Sequence, residues 1–406
     1  MLGAITGDIV GSRFEFNNHK KIEFELFHRD CNFTDDTICT VAVAEWLMQK
    51  GSKKLPFARI LQQWCRQFPY PMGGYGNRFV SWIAEKNPKP YDSFGNGSAM
   101  RIAPVGWACE TLEETQLVAA EIASVSHNHP EGIKGAQSTA TAIFMARNGH
   151  SKTEIRKKIE LEYNYDLNRT CEEIRPVYRY NEACQQTVPE AIIAFLDSTG
   201  FEEAIRLAVS LGGDTDTLTC ITGGIAEAYY GLPFDIEEKA VSYLPEKIKK
   251  VVAAFKEKYA FALDDVKYFS QIRNTPDQTW QNLFELIPEM EMTEKGGFTC
   301  WVKPDKQADG SFSFPYPIYS ELVLPWIDLY QASGLMISYD WNSWLTFKGG
   351  RNKSEVDYSK YTAAEICKVF TAVVRSERFS DGAIGSFFES GDMLKCLRVL
   401  RDLIVK

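Results

Sequence analysis

Two short acidic motifs carry the residue types from which a metal site could be built. Phe33-Thr34-Asp35-Asp36-Thr37 and Gly212-Gly213-Asp214-Thr215-Asp216-Thr217 each precede an apolar helical run, so each places carboxylates and hydroxyls at the start of a helix. Mg²⁺ and Mn²⁺ prefer such oxygen ligands. Four aspartates around one point would repel one another, and divalent cations would remove that repulsion. If the motifs meet in space, they predict a site for two hard cations, which lie about 3.5–4 Å apart in binuclear centres.

Helix capping is the alternative explanation of both motifs. Asp and Thr side chains at a helix start accept hydrogen bonds from backbone N–H groups that have no partner within the helix, and the helix dipole favours negative charge there. One cap, however, needs only one such residue. Two aspartates with flanking threonines at two separate helix starts exceed that need, so we favour the metal site.

The elements that must position these motifs are helices. From Met1 to about Phe261, apolar residues recur at three- and four-residue spacing, which predicts one all-α domain with Gly-rich connections. The four-residue recurrence of Gly3, Gly7 and Gly11 predicts a smooth helix face for close backbone packing. The predicted helices are Ile38–Met48, Phe57–Phe68, Leu112–Ser124, Gly132–Arg147, Lys152–Glu162, Val188–Asp197, Phe201–Leu211, Leu218–Tyr230 and Ile236–Lys258.

The pattern changes near residue 265, so we expect domains at 1–265 and 266–406. Aromatic and β-branched residues favour strands in the second part, and apolar periodicity favours helices near its end. The result is a smaller α+β domain. Its predicted elements are strands at Phe298–Trp301 and Tyr339–Phe347, a turn at Asp309-Gly310, and helices at Tyr361–Phe379 and Met393–Val405.

Composition and charge exclude several classes of protein. The 406-residue chain has a net charge of −9, so a nucleic-acid partner held by bulk positive charge is not expected. No apolar run reaches the roughly 18 residues of a membrane span, and Met1–Gly11 lacks the basic segment of a signal peptide. Ten cysteines without a Cys-x-x-Cys pair are typical of free buried thiols in a reducing compartment. The expected location is the cytoplasm, and a Cys/His zinc site is not expected.

Several motifs of the first part also form an ordered series. They are Gly7-Asp8-x-x-Gly11 with Glu15, Thr34-Asp35-Asp36-Thr37, Gly95-Asn96-Gly97-Ser98-Ala99-Met100-Arg101, Ser126-His127, and Gly212-Gly213-Asp214-Thr215-Asp216-Thr217. In this order, over residues 1–260, they resemble the ADP-ribosylglycohydrolase family, of the dinitrogenase-reductase-activating glycohydrolase type. The resemblance implies an all-α orthogonal helical bundle, in agreement with the helical periodicity.

The resemblance implies a metal-dependent hydrolase that cleaves the glycosidic bond between ADP-ribose and an acceptor, with an ADP-ribosylated protein side chain as the expected substrate and ADP-ribose as the product. Metal-activated water would attack the anomeric carbon through an oxocarbenium-like state, and a carboxylate would move protons. The implied proton carriers are Glu15, Asp35 and Asp36. The implied ligands of two Mg²⁺ or Mn²⁺ ions are Thr34, Asp35, Asp36, Asp214, Asp216 and Thr217.

The resemblance also implies a set of residues that bind ADP-ribose. Gly-rich loops offer backbone N–H groups to phosphate oxygens, and an aromatic ring stacks on adenine, a role that falls to Phe94. The implied substrate-binding residues are Gly74, Tyr75, Gly76, Ser93, Phe94, Gly95, Asn96, Gly97, Ser98, Met100 and His127.

Two other functions are compatible with the same motifs. One is hydrolysis of O-acetyl-ADP-ribose, of another ADP-ribose derivative or of a phosphate ester. The other is an inactive ADP-ribose-binding protein, against which the full set of implied metal ligands argues. The linkage to the acceptor, through arginine, serine or another residue, is left open by the sequence, as is the role of the segment 163–186.

The C-terminal part lies outside this resemblance. The stretch Arg375-Ser376-Glu377-Arg378-Phe379-Ser380-Asp381-Gly382 resembles a motif in small bacterial modules of unknown function, which implies no activity. The simpler interpretation is a cluster of ion pairs at the end of a helix.

Overall fold

Helices dominate the computed structural model, which describes residues 1–49, 55–305, 313–348 and 356–405. The chain folds as two units, Met1–Val266 and Lys267–Lys406. In the described residues, no helix is both long and apolar enough to cross a membrane. All ten cysteines are free thiols, as predicted. Nine of them are buried, as also predicted, whereas Cys300 is exposed.

The predicted all-α architecture of the first unit is confirmed. Its helices are α1 (Leu2–Gly11), α2 (Asp35–Met48), α3 (Phe57–Gln67), α4 (Asn77–Ala84), α5 (Gly97–Met100), α6 (Ala103–Ala108), α7 (Leu112–Ser124), α8 (Pro130–Arg147), α9 (Lys152–Tyr163), α10 (Cys171–Ile174), α11 (Cys184–Asp197), α12 (Phe201–Leu211), α13 (Thr215–Tyr230), α14 (Phe234–Ser242) and α15 (Glu246–Lys258), and α16 (Ala260–Asn274) crosses the unit boundary. The single helix predicted at Ile236–Lys258 is wrong. Two helices form there because Pro245 stands at the N-cap of α15, where its missing N–H would remove a hydrogen bond from one continuous helix.

The second unit combines helices with a small sheet, so the predicted α+β class is confirmed. The antiparallel strands pair Thr299 with Tyr319 and Val302 with Tyr316. The predicted turn at Asp309-Gly310 lies outside the described residues. The elements are α17 (Asp277–Phe284), α18 (Ile287–Met292), β1 (Thr299–Val302), β2 (Tyr316–Tyr319), α19 (Val323–Ala332), α20 (Trp341–Phe347), α21 (Ala363–Ser376), α22 (Ala383–Glu389) and α23 (Asp392–Ile404).

The strand predicted at Tyr339–Phe347 is wrong, because most of this segment forms α20. The Asp340 side chain caps the helix by accepting a hydrogen bond from Ser343 N at 3.1 Å. Trp344 is the buried aromatic residue of this helix. Aromatic composition alone favoured a strand, whereas the capping residue is the local signal that decides for a helix.

The carboxylate of Glu377 accepts hydrogen bonds from backbone amides, whereas the sequence analysis considered ion pairs at this helix end. It accepts hydrogen bonds from Gly382 N at 2.7 Å and Ile384 N at 2.8 Å, and from the Tyr319 hydroxyl. Glu377 therefore fixes the loop between α21 and α22 against strand β2.

In the first unit, α1 and α13 pack so closely that their backbones touch. A Cβ atom at Gly7 would lie 1.9 Å from the carbonyl oxygen of Thr219, and one at Gly3 would lie 2.4 Å from that of Gly223. The Thr219 hydroxyl also donates a hydrogen bond to Gly7 O at 2.6 Å. The predicted smooth glycine face thus serves helix packing. The pairing runs antiparallel, so the end of α1 meets the start of α13.

Asp8, on α1, fixes the start of α2 through hydrogen bonds. One of its carboxylate oxygens accepts hydrogen bonds from Thr34 N at 3.0 Å and Thr37 N at 3.1 Å, and also from the Thr37 hydroxyl. The other accepts a hydrogen bond from the Thr34 hydroxyl at 2.7 Å. Helix α1 therefore positions both acidic motifs, one through glycine packing and the other through a buried carboxylate.

We expect Gly7→Ala to destabilise the first unit by more than about 3 kcal/mol, because its methyl group would overlap backbone atoms that cannot move independently. The measurement is the free energy of unfolding from urea denaturation. Gly200→Ala is the matched control, since no heavy atom outside its chain neighbours lies within 4 Å of its Cβ position. Equal stability of the two variants would contradict the backbone contact.

Candidate metal-binding active site

A cavity of about 520 Å³ in the first unit collects most of the predicted site residues. They come from the segment after the 3₁₀ turn Ser12–Phe14, from the starts of α2 and α13, and from the loops before α4, α5 and α8. The predicted residues on its wall are Glu15, Asp35, Asp36, Gly74, Tyr75, Gly76, Ser93, Gly95, Asn96, Gly97, Met100, His127, Asp214, Asp216 and Thr217. The two acidic motifs therefore lie at one site.

Three carboxylates form the centre of the acidic end. Glu15, Asp214 and Asp216 each offer an oxygen, and these oxygens all lie within 4.8 Å of one another. Asp214 stands at the N-cap of α13 but makes no capping hydrogen bond with its side chain. Its Oδ2 instead accepts a hydrogen bond from Asn96 Nδ2 at 2.7 Å. Capping therefore does not explain the carboxylate of Asp214.

The second acidic motif completes the same end of the cavity. Thr34 is the N-cap of α2, and its hydroxyl accepts a hydrogen bond from Asp36 N at 3.2 Å. The Asp36 side chain faces the other motif, since its Oδ2 lies 3.4 Å from the Thr217 hydroxyl. Asp35 is half-buried on the cavity wall. Capping therefore accounts for Thr34 and leaves both aspartates available.

Unpartnered oxygen atoms make this end fit a divalent cation. Oε2 of Glu15, Oδ1 of Asp36 and Oδ1 of Asp216 are buried and have no hydrogen-bond partner. A buried charge without a partner costs several kcal/mol, and a bound cation would offset that cost. A donor set made only of oxygen atoms suits Mg²⁺ or Mn²⁺.

Burial and crowding raise the pKa of every carboxyl group in this cluster. Burial is the largest cause of a pKa of about 8 for Glu15, and the charges of Asp216 and Asp8 add to it. Burial likewise raises the pKa values of Asp36 and Asp214 well above their usual range. Without cations, the cluster therefore holds protons at neutral pH that isolated carboxyl groups would release.

Glycines support the acidic end where the backbone must come close. Gly73 has a φ of 77°, and a Cβ atom there would lie 2.6 Å from Glu15 Oε2. Gly213 has a φ of 81°, and a Cβ atom there would lie 2.4 Å from the Tyr178 ring. Asn18 holds Gly213 from both sides, accepting from its N–H at 2.8 Å and donating to its carbonyl at 2.9 Å.

Another part of the cavity wall carries cationic and neutral donors. Arg78 lies over the Tyr91 ring, 4.8 Å from its centroid, and Arg101 and His127 lie on the same wall. Burial, followed by the charges of Arg101 and Arg78, lowers the pKa of His127 well below its usual value. The cavity wall therefore combines a cluster of carboxylates with a group of donors that favours anions.

Three of the predicted residues do not line this cavity. Phe94, predicted to stack on adenine, is 47% exposed and packs edge-on against His129, with ring centroids 5.4 Å apart. Ser98 is buried and donates a hydrogen bond to Gly132 O at 2.7 Å, which fixes the loop. Thr34 is fully buried and holds Asp8.

Other residues of the wall were missed by the sequence analysis. Arg101 belongs to a motif that was recognised, and Phe16 directly follows Glu15, so both could have been found. Tyr180 and Glu182 lie in the unassigned segment 163–186 and reach the wall through backbone pairing, with Asn96 N donating to Glu182 O at 2.7 Å. That non-local contact left no signal in the sequence.

We expect the stability of the metal-free protein to fall as pH rises from 4.5 to about 8. Folding raises the pKa of Glu15 across this interval, so the stability present at low pH is lost as pH rises through the folded-state value. Mg²⁺ should raise Tm, and more at pH 8 than at pH 6, because it binds deprotonated carboxylates. Differential scanning calorimetry tests this, with Glu15→Gln expected to flatten the pH dependence. A Tm that responds to neither pH nor Mg²⁺ would contradict the claim that these carboxyl groups bind protons and cations.

Comparisons with known proteins find relatives of both parts of the chain. Residues 1–268 match the family described as ADP-ribosylglycohydrolase, and residues 275–406 match a family of unknown function (DUF6508). The chain is 26% identical to the ADP-ribosylhydrolase ARH3 of Homo sapiens over 57% of this chain and 84% of that protein. It is 25% identical to the ADP-ribosylarginine hydrolase Tri1 of Pseudomonas putida (strain GB-1) over 57% of this chain and 70% of that protein.

A solved structure named ADP-ribosylglycohydrolase-related protein complex is 24% identical, with a TM-score of 0.46, and the match covers 66% of this chain and 97% of that one. The family match extends over more than half of the chain. It confirms the resemblance drawn from the ordered motifs, as the second match does for the C-terminal module. The chain belongs to the ADP-ribosylglycohydrolase family.

Proposed function

We propose that this protein is a divalent-cation-dependent hydrolase that releases ADP-ribose from a modified protein side chain. The observation that carries the proposal is the cluster of unpartnered carboxylate oxygens of Glu15, Asp36 and Asp216 at one end of a glycine-lined cavity. The names of the relatives, ADP-ribosylhydrolase and ADP-ribosylarginine hydrolase, support the same reaction class.

The polarity of the cavity suits an ADP-ribose ligand bound along its length. Backbone groups of Gly74, Gly76 and Gly95 lie on the wall without side chains to obstruct a diphosphate. Arg78 and His127 supply further donors on the same cavity wall. The terminal ribose would lie beside the carboxylates.

The carboxylates divide into two roles in this proposal. Asp36, Asp214 and Asp216, with the Thr217 hydroxyl, would hold two Mg²⁺ or Mn²⁺ ions, and Thr34 would position Asp36 by capping α2. Such ions, when bound, orient oxygen ligands and make water more acidic. Glu15 and Asp35 face the cavity, so either can accept or return a proton, although Glu15 also lies close enough to bind an ion.

The reaction breaks the bond between the anomeric carbon of ADP-ribose and the acceptor atom. A water molecule supplies the hydroxyl group that the carbon gains, and the acceptor leaves with a proton. A carboxylate that takes the proton from water and one that returns a proton to the acceptor together balance the step.

The acceptor side of the cavity contains an exposed aromatic pair and a carboxylate. The rings of Phe16 and Tyr180 stack with centroids 6.4 Å apart, and the Tyr180 hydroxyl donates to Glu182 Oε1 at 3.0 Å. Aromatic faces and a carboxylate attract a planar cation. We therefore propose that the enzyme prefers arginine-linked ADP-ribose.

We expect purified protein with Mg²⁺ to release free ADP-ribose from ADP-ribosylated protein, and EDTA to block the release. Asp214→Asn should lower kcat/KM at least about 100-fold, because it removes a charge from the cation site. Mass spectrometry of the released nucleotide is the measurement. Asp235→Asn is the control, since this aspartate is exposed in the first turn of α14.

Full activity of Asp214→Asn would refute the site assignment. Binding of ADP-ribose without release from any protein substrate would favour a non-catalytic binding protein. Release of acetate from O-acetyl-ADP-ribose in place of ADP-ribose from protein would favour the alternative hydrolase.

We expect Glu182→Gln to reduce kcat/KM for arginine-linked substrate about 10-fold and to leave serine-linked substrate within about twofold, because only the guanidinium loses a charged partner. Paired assays on the two substrates measure this ratio. Glu172→Gln, an exposed residue of α10, is the control. An equal loss on both substrates would show that Glu182 does not determine specificity for the acceptor side chain.

A further inference from the structure

A buried arginine stands behind the ligand loop without a carboxylate partner. Arg101 is fully buried, and its Nη2 donates to Ile122 O at 3.2 Å and to the Ser126 hydroxyl oxygen at 2.9 Å. Its Nε has no hydrogen-bond partner. In the described parts of the chain, no carboxylate lies within ion-pair distance of it. A buried cation of this kind is costly unless an anion compensates for it.

The contacts of Arg101 continue in a chain to His127. The Ser126 hydroxyl oxygen lies 2.8 Å from Nδ1 of His127. A guanidinium group only donates, so the Ser126 oxygen must accept from Arg101. The Ser126 hydroxyl hydrogen can then be donated to Nδ1 of His127. Among the described residues, no other acceptor for this hydrogen is present. If Nδ1 carried the proton instead, that hydroxyl hydrogen would be buried and unpaired.

The second nitrogen of His127 faces the ligand loop. Nε2 lies 3.2 Å from the position of a Cβ atom at Gly97 and 3.6 Å from that at Gly95. Since Nδ1 accepts a hydrogen bond, a neutral imidazole must carry its proton on Nε2. An Nε2–H group at this place points to the part of the cavity where glycines leave room for an anionic oxygen.

We propose that Arg101, acting through Ser126, fixes His127 as a neutral imidazole whose Nε2–H binds an anionic oxygen of the ligand, so that Arg101 and Ser126 are positioning residues. The inference rests on the proposed function in its choice of ligand, the diphosphate of ADP-ribose. Arg101 also supplies the positive charge that makes this part of the cavity attract a diphosphate without contacting it.

The charged and titratable groups around His127 support a neutral ring. Arg101 and Arg78 both disfavour its protonation, and burial lowers its pKa further. The Tyr91 ring, whose centroid lies 5.9 Å from that of the imidazole, adds no charge. The charge of the His127 ring should therefore not change between pH 8 and pH 6, where an ordinary histidine titrates.

Nuclear magnetic resonance of ¹⁵N-histidine-labelled protein reads the tautomer directly. The chain has five histidines, and His127→Gln assigns the signal of His127. We expect a protonated Nε2 and an unprotonated Nδ1 in the native protein, with no shift between pH 8 and pH 6. Ser126→Ala should produce a mixture of both tautomers. A proton on Nδ1 in the native protein would overturn the proposal.

Calorimetric titration with ADP-ribose gives the second measurement. Ser126→Ala should weaken binding about 2- to 10-fold, as expected for one lost hydrogen bond, and His127→Ala should weaken it at least as much. His127→Gln, which places an amide N–H near the position of Nε2, should stay within about threefold of the native protein. Ser124→Ala is the control, because this hydroxyl bonds only to Ala120 O in the preceding turn.

The outcomes separate this inference from the proposed function. Absence of ADP-ribose binding or hydrolysis in the native protein would refute the proposed function, while the tautomer spectrum would still test the role of Arg101 and Ser126. Unchanged tautomer and affinity in Ser126→Ala, with native Tm, would refute that role even in an active enzyme.

Discussion

The backbone contact between α1 and α13 is the constraint on which the site depends. Gly7 and Thr219 meet without an intervening side chain, so the end of α1 is held at the start of α13. A single 3₁₀ turn, Ser12–Phe14, connects α1 to Glu15, and Asp214 and Asp216 lie at the start of α13. Three carboxylates therefore converge because two helices are packed at a separation that only glycine allows.

The same helix fixes the second acidic motif through a buried polar network. Asp8 is saturated by hydrogen bonds from Thr34 and Thr37, so it is not free to bind an ion. Its neighbours Asp36 and Asp216 keep unpaired oxygens. The fold thus satisfies the hydrogen-bonding capacity of Asp8 and leaves the other carboxylates facing one another. This arrangement costs folding free energy, and a bound cation would offset that cost.

Candidate site residues could be predicted from the sequence when they belong to short motifs at helix ends. Prediction failed where contacts between distant segments decide. Tyr180 and Glu182 reach the cavity only because the segment before α11 pairs with the ligand loop. Phe94 packs against His129 and does not line the cavity, so its stacking on adenine stays a prediction. In the second unit, aromatic composition at Tyr339–Phe347 favoured a strand where a capping aspartate starts a helix.

Crystals grown with Mn²⁺ would test the central claim most directly, because anomalous scattering locates each bound ion. Our account predicts anomalous peaks within coordination distance of carboxylate oxygens of Glu15, Asp36, Asp214 or Asp216, and their loss in Asp214→Asn. A protein that binds Mn²⁺ elsewhere, or leaves this cluster without an anomalous peak at saturating Mn²⁺, would contradict it.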